Sequence, residues 1–470
     1  MSNASISRIM VFGRRFHFQR VSTVATLLFP NSEIEVWSDE NLGGSSVQWW
    51  GKWFYNSLDN LESEQHQNLI SELSESAIEE IIQRCRYLRV CSKHQARQLA
   101  IAGYIAWSQI LQEFHYSILL LLPIDSFVLD TLQRAAESLN IPAIYPINTL
   151  FPGYIRFTTR GELLGHLPNI EQKALDSVVE KLQKVDFKPD YLMGVNTPVL
   201  ETILRRTLID LLKPPAYWMY RNLRNDQFSF SFCPWRVLRQ TMVATPKRMK
   251  ASITLEKKSQ NKFPSDFALI PLQFYPENAN DYCIPELEMC NHHKVVLEIT
   301  KVISEDMPVV IKEHPAGIGR RCERFINDLL KIKNVYIAPM LYPIGALINQ
   351  SSMVIGYGSS SMLQALVLEK PVLFAGTPFY SSAQRPVLKT IQDQAQIRKA
   401  VSTALEMGAA PYDTVHKLIK NYFHSTAPAN ILGSYAPLGE RLSSTSQTIS
   451  ITPKTSLLLN DALDSLRKAR

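Results

Sequence analysis

Long hydrophobic runs are missing from this 470-residue chain. The most apolar stretch, Tyr116 to Pro123, falls far short of the roughly 20 residues that cross a bilayer, so it reads as a buried strand. Near Met1 no basic start leads into an apolar run and a small-residue cleavage site, which argues against a secretory leader. Cysteine is scarce: Cys85, Cys91, Cys233, Cys283, Cys290 and Cys322. They lack the close pairs of a zinc site, and Cys283-x6-Cys290-x-His292 has no common metal spacing. No metal is expected, and the thiols read as reduced in a cytoplasmic protein. The glycine-rich fingerprints are absent as well. No Gly-Lys-Ser/Thr follows either of the phosphate-type turns described below, no Gly-x-Gly-x-x-Gly opens a helix in the first half, and Ser360 lacks a Gly-x-Ser-x-Gly frame. These absences argue against a P-loop ATPase, a dinucleotide dehydrogenase and a serine hydrolase.

What is present is alternation. A 46% hydrophobic share marks a globular protein, and 470 residues are too many for one common domain and fit two. From Phe267 onward, strand-like segments (Phe267–Leu272, Val309–Lys312, Val335–Ala338, Met353–Tyr357, Pro371–Ala375) alternate with helix-like ones, the pattern of a doubly wound α/β sheet. Val295, Val296, Ile299, Val302 and Ile303 recur at helical spacing, and Arg320 to Lys331 turns Phe325, Ile326, Leu329 and Leu330 inward. The first half alternates too: strands at Arg8–Gly13, Glu33–Trp37, Ser117–Leu122 and Ile141–Ile147, helices at Gln95–Phe114 and Ser126–Asn140. The expected division is 1–235 for an N-terminal domain, 236–262 for a basic linker, 263–400 for a C-terminal domain, and 401–470 for helices with a partly mobile tail, Ser/Thr-rich at Ser443 to Thr455. The net charge of +7 suits an acidic partner: a phosphorylated donor, an anionic glycan or an anionic membrane surface.

Two turns carry the chemical signal. Val309-Val-Ile-Lys312-Glu-His314-Pro315 and Met353-Val-Ile-Gly-Tyr-Gly358-Ser359-Ser360-Ser361 each follow a β-branched strand and precede a helix. Helix starts expose unpaired N–H groups and partial positive charge, so such turns suit phosphate and point to a nucleotide-activated substrate. His314 can donate to a phosphate oxygen from a turn stiffened by Pro315, with Lys312, Arg320 and Arg321 adding charge. Gly358 admits a close backbone approach, and the three hydroxyls can cap a helix or bind an anion. Sugar transfer also needs a carboxylate, as general base or nucleophile. Asp281 and Glu277 follow Gln273 at the end of the first C-terminal strand; in the N-terminal half Glu162 and Asp125 occupy loops.

These pieces resemble the bacterial capsule polysaccharide biosynthesis family, whose better understood members look like Kdo transferases. The matching residues are Ile270-Pro-Leu-Gln273, Lys312-Glu-His314-Pro315, Gly358-Ser-Ser-Ser361, Lys370-Pro-Val372 and Pro378-Phe-Tyr380. In the first half they are Asp125 through Ile141-Pro142 and Phe151-Pro-Gly-Tyr-Ile-Arg-Phe-Thr-Thr-Arg-Gly-Glu162. The resemblance implies a GT-B glycosyltransferase, with two Rossmann-like domains facing across a cleft. It would be metal-independent, have no cofactor beyond a CMP-sugar substrate, and be cytoplasmic with peripheral contact to the inner membrane or the polysaccharide assembly machinery. His314, Pro315, Ser359 and Ser360 take the places that hold the CMP phosphate, with Lys312, Gly358, Ser361 and Gln273 around them. Asp281, Glu162 and Glu277 are the catalytic candidates, Asp281 preferred; Gln364 stands where relatives carry Glu. The implied partners are a nucleotide-sugar donor and a glycan or glycolipid acceptor, with no nucleic acid. UDP-sugar 2-epimerases and polyol-phosphate transferases share such turns, and a non-catalytic assembly subunit keeping the fold is a third reading.

Overall fold

The computed structural model describes residues 7–14, 18–41, 46–151, 153–187, 198–224, 235–275, 278–380, 384–431 and 449–468. The chain divides into two compact units: Met1–Asn169 with Tyr217–Val237 and His424–Arg470, and Ile170–Ala216 with Leu238–Phe423.

The first unit opens with β1 (Arg8–Phe12), β2 (Glu33–Ser38), β3 (Gln48–Trp49), β4 (Ile118–Leu120), β5 (Ala143–Asn148) and β6 (Tyr154–Thr158), ordered β3-β2-β1-β4-β5-β6. All are parallel except β6, which runs antiparallel to β5. Central β1 is apolar and buried from Ile9 onward, as a strand covered on both faces must be. The helix Lys93–Phe114 begins where the Ser92 hydroxyl accepts the Gln95 N–H, and it ends on His115 in the left-handed region at φ 52°. Its Trp107 packs against Phe12, Trp37 and Trp50 in an aromatic core.

The second unit holds β7 (Ala268–Pro271), β8 (Val309–Lys312), β9 (Val335–Ala338), β10 (Met353–Gly356), β11 (Val372–Ala375) and β12 (Val387–Leu388). They are all parallel, in the order β9-β8-β7-β10-β11-β12. The helix His292–Ile303 buries Val295, Val296, Ile299, Val302 and Ile303, the face its periodicity gave. Both sheets therefore follow the doubly wound order 3-2-1-4-5-6, which reverses direction between its first and fourth strands. The chain then returns to the first unit, where β13 (Ala427–Asn430) and β14 (Ser450–Ile451) extend the sheet beyond β6.

The α/β class is as expected, but the boundaries are not. Residues 236–262 do not form a linker: Trp235–Lys257 is a helix, and its Ala251 and Leu255, four apart, pack into the second unit's core while the lysines stay outside. Residues 170–216 belong to the second unit rather than the first, and the C-terminal segment rejoins the first. There the helix Pro453–Lys468 buries Leu458, Leu459, Ala462 and Leu463, so this part of the tail is docked by its apolar face. Of the Ser/Thr-rich stretch, 443–448 lies outside the described residues. Among the described residues, no helix is long and apolar enough to cross a membrane, and no group of three His, Cys, Asp or Glu side chains could hold a metal.

Candidate functional site

In the second unit β7 lies between β8 and β10, so the loops leaving these three strands emerge side by side at their carboxyl ends, where the order reverses. With one strand between them, the His314 and Ser359 turns start about 10 Å apart.

The His314 turn is held from below. His314 has extended backbone and caps a short 3-10 turn, Pro315–Gly317, with Pro315 in the first position, where its missing N–H costs nothing. Its Nδ1 accepts the Ala316 N–H at 3.1 Å, which leaves the proton on Nε2. Burial, together with Arg321, Lys312 and Arg206, pushes its pKa down to about 3, so at neutral pH the ring is an uncharged donor. Beneath it the Glu313 carboxylate receives Arg321 Nε at 2.8 Å and Nη2 at 2.7 Å, and accepts the His314 N–H at 2.6 Å. Arg321 Nη2 also donates to the Gln273 carbonyl, joining the loops after β7 and β8. Gly317 is required here, because a Cβ would lie 2.4 Å from Glu313 Oε1. From the helix Val199–Arg224, Arg206 Nη1 donates to the carbonyls of Ala316 at 3.0 Å and Ile318 at 2.5 Å.

Lys312, expected near phosphate, points elsewhere. Its Nζ donates to the carbonyls of Glu313 at 2.9 Å and Met340 at 2.7 Å, and burial lowers its pKa to about 8. It braces the strand end instead of facing a ligand. Arg321→Met leaves Glu313 buried and unpaired, so a stability loss of about 3–5 kcal/mol is expected in chemical denaturation; a midpoint unchanged from wild type would show that the pair does not support the turn.

At the second turn Gly358 is pressed against Pro378, whose Cβ would lie 2.6 Å from an added side chain. The Ser359 hydroxyl caps the helix Ser360–Val367 by accepting the Met362 N–H at 3.4 Å, and Tyr380 Oη donates to the Ser359 carbonyl at 2.8 Å. Ser360 and Ser361 have no hydrogen-bond partner among the described residues, and both are partly exposed at the helix start. One of the three hydroxyls is therefore a cap and two are available to a ligand. The Gln273 side chain is half-buried at the end of β7. Gln364 is spent elsewhere: it is buried, and its Nε2 donates to the Lys184 carbonyl at 2.9 Å.

The carboxylate candidates separate by environment. Glu277 lies outside the described residues. Asp281 is buried on the short turn Asn278–Asp281. In the first unit Glu162 folds onto its own loop, accepting the Thr159 N–H at 2.7 Å, the Thr159 hydroxyl at 2.5 Å and the Arg160 N–H at 2.8 Å. Burial works to raise its pKa, but these hydrogen bonds win and it is lowered, as for a structural cap.

Asp125 stands apart. Arg14 follows β1, Asp39 follows β2 and Asp125 lies in the loop after β4, so the three meet where the first sheet's order reverses. Arg14 Nε lies 2.9 Å from Asp39 Oδ1, and its Nη1 lies 2.9 Å from both Asp125 oxygens. Arg14 and Asp39 are buried, whereas the Asp125 side chain keeps 29% of its surface exposed. The result is a rigidly oriented carboxylate with a solvent-facing edge. Sequence reasoning named Asp125 but not Arg14 or Asp39.

The carboxyl ends of both sheets thus carry polar groups suited to a ligand, and known proteins show similarity to part of the chain. Residues 206–407 match the capsule polysaccharide biosynthesis protein family. The family match begins at Arg206, which holds the His314 turn, and takes in the Ser359 turn and β12. Solved structures similar to the chain include the beta Kdo 2,7 transferase KpsC of Thermosulfurimonas dismutans, at 10% identity over 97% of this chain and 99% of that one, TM-score 0.36. Another is the UDP-GlcNAc 2-epimerase of Methanocaldococcus jannaschii in complex with UDP-GlcNAc and UDP, at 11% identity over 88% and 99%, TM-score 0.30. No curated protein matches the sequence.

Proposed function

We propose that the chain is a GT-B glycosyltransferase of capsule assembly that moves a 3-deoxy sugar acid, Kdo-like or sialic-like, from a CMP-activated donor to a growing surface polysaccharide. In this reading the second unit holds the donor, the first holds the acceptor, no metal takes part, and the enzyme works in the cytoplasm at the inner membrane.

The observation that carries the reading is the kind of donor group left free. Lys312, Arg206 and Arg321 are engaged by carbonyls or by Glu313. Among the described residues, what remains toward a ligand is the Nε2–H of a neutral His314, the Ser360 and Ser361 hydroxyls, a helix start and one cation, the exposed Arg320, which lies over the Phe274 ring beside His314. Neutral donors with a single cation suit the single negative charge of a CMP-sugar phosphodiester better than a pyrophosphate, and they can follow the charge that grows as CMP leaves. On the acceptor side Asp125, fixed by Arg14, is the carboxylate that serves as general base for inversion or nucleophile for retention. Asp281, Glu162 and Glu277 are not needed for this.

A ligand that binds only the folded chain stabilises it by about 2.7 kcal/mol at a hundredfold excess over its Kd. CMP is expected to raise the melting temperature by several degrees, more than UDP or CDP at equal concentration. A larger rise with UDP would move the chain to UDP-sugar chemistry, and one with CDP to polyol-phosphate transfer.

A further inference from the structure

The segment Pro378-Phe379-Tyr380, which follows β11, is a loop held from several sides. Just before it the Glu286 carboxylate accepts the Thr377 N–H at 2.9 Å and also the Thr377 hydroxyl. Pro378 closes on Gly358, and the Phe379 ring packs edge-on against Tyr380 and Tyr422, with centroids 4.6 and 5.3 Å away. The Tyr380 ring meets Phe374 of β11 at 5.7 Å and keeps only 2% of its surface exposed. Tyr380 is thus a buried, fixed side chain ending in one directed group. That group, the phenolic hydroxyl, donates to the Ser359 carbonyl at 2.8 Å.

The carbonyl already has a partner. It accepts the Leu363 N–H at 3.1 Å, the first bond of the helix Ser360–Val367, so the tyrosine takes up its second lone pair. In a trans peptide the C=O and the N–H of the next residue point in opposite directions. The Ser359 carbonyl points into the helix, so the Ser360 N–H points out of its start, where Ser360 and Ser361 are partly exposed. Among the described residues that N–H has no hydrogen-bond partner. Capping does not require the tyrosine, because the Ser359 hydroxyl already holds the Met362 N–H. A second donor on this carbonyl instead fixes the plane of the Ser359–Ser360 peptide and draws electron density toward its oxygen. The Ser360 N–H becomes better aimed and more polar.

We propose that Tyr380 is a positioning residue of the phosphate site: by holding the Ser359 carbonyl it aims the Ser360 N–H at the same phosphate that the two serine hydroxyls receive. The inference rests on the nucleotide reading above, since only a bound phosphate gives the aimed N–H something to meet. It gives the Pro378-Phe-Tyr380 segment a role, carried from the end of β11 to the end of β10 by one hydrogen bond. Donors held in place before the ligand arrives need no reorganisation as charge develops on it.

The test compares CMP with cytidine in calorimetric titrations of the full-chain wild type and Tyr380→Phe, which removes one oxygen and leaves the ring to pack as before. The wild type is expected to prefer CMP. Tyr380→Phe is expected to lose roughly three- to tenfold in CMP affinity, part of one hydrogen bond to a charged group, while cytidine binds as in the wild type. A merely structural tyrosine would lower the melting temperature and leave the preference for CMP intact, or weaken both ligands alike; either result overturns the proposal. A second readout needs no change at Tyr380. In protein carrying isotopically labelled serine, the Ser360 amide, identified by the signal missing from Ser360→Ala, should move downfield on adding CMP but not cytidine, and should move less in Tyr380→Phe. A Ser360 amide that CMP leaves in place overturns the inference even if CMP binds better than cytidine, and the nucleotide reading then stands without it. A wild type that binds cytidine as tightly as CMP overturns both.

Discussion

His314→Ala is expected to lower kcat for sugar transfer by about two to three orders of magnitude, the usual effect of removing one preorganised donor to a developing negative charge. The ring does two things, and a second variant separates them. Nδ1 receives the Ala316 N–H while Nε2–H is left for the ligand. Asn at 314 offers a carbonyl oxygen to the turn, as Asn does at helix starts, but does not reproduce the Nε2 donor. If His314→Asn is as impaired as His314→Ala while both unfold near the wild-type midpoint, the ligand contact is the part that matters. The pH dependence follows from the depressed pKa of about 3. Between that value and the ordinary 6.5 the unfolded chain takes up a proton on this residue and the folded chain does not. The stability it contributes is complete above about pH 6.5 and declines as pH falls toward 3. Wild-type turnover by His314→Ala with a matched acceptor would remove the phosphate role.

Asp125→Asn should cost more, about three orders of magnitude or beyond, since a missing base or nucleophile leaves little alternative path. The amide keeps the size of the carboxylate and an oxygen for Arg14, and Asp39 still neutralises the guanidinium, so the melting temperature should change little. Glu162→Gln is the contrasting case. That carboxylate ties Thr159 and Arg160 into their loop, and its substitution is expected to lower the melting temperature by more than it lowers kcat. The reverse pattern, with Glu162→Gln inactive but stable and Asp125→Asn active, would return the catalytic role to Glu162. CMP binding without turnover across several acceptors, in the wild type as in both variants, would favour a non-catalytic subunit.

Much of the second unit was legible because its signals are local. Val309–Lys312 and Val335–Ala338 form strands with the bounds read from their β-branched composition, and the helix His292–Ile303 buries the face its spacing indicated. Where structure depends on distant partners, the sequence was silent. The strand Ala427–Asn430 contains no β-branched residue and forms because β6 offers an antiparallel edge more than 250 residues away in sequence. Pro214 and Pro215 break the pattern of the helix Val199–Arg224, which nevertheless continues through them. Within the sites, the two turns were visible as motifs but the roles of the charges around them were not. Lys312 looks like a phosphate ligand until the Met340 carbonyl, 28 residues on, takes up its ammonium. Arg14 looks like a solvated loop residue until Asp39 and Asp125, 25 and 111 residues away, close around it.

The central claim is that the His314 turn and the Ser360–Ser361 hydroxyls hold the phosphate of one nucleotide. Calorimetric titration of CMP and of cytidine into the wild type, His314→Ala and the double variant Ser360→Ala/Ser361→Ala tests this most directly, because the two ligands differ only in that phosphate. Hydrogen bonds to a charged group are worth about 1.5–3 kcal/mol, so each variant should weaken CMP by roughly ten- to hundredfold and leave cytidine unchanged. CMP affinity untouched by either variant, or lost in equal measure with cytidine, would contradict the account.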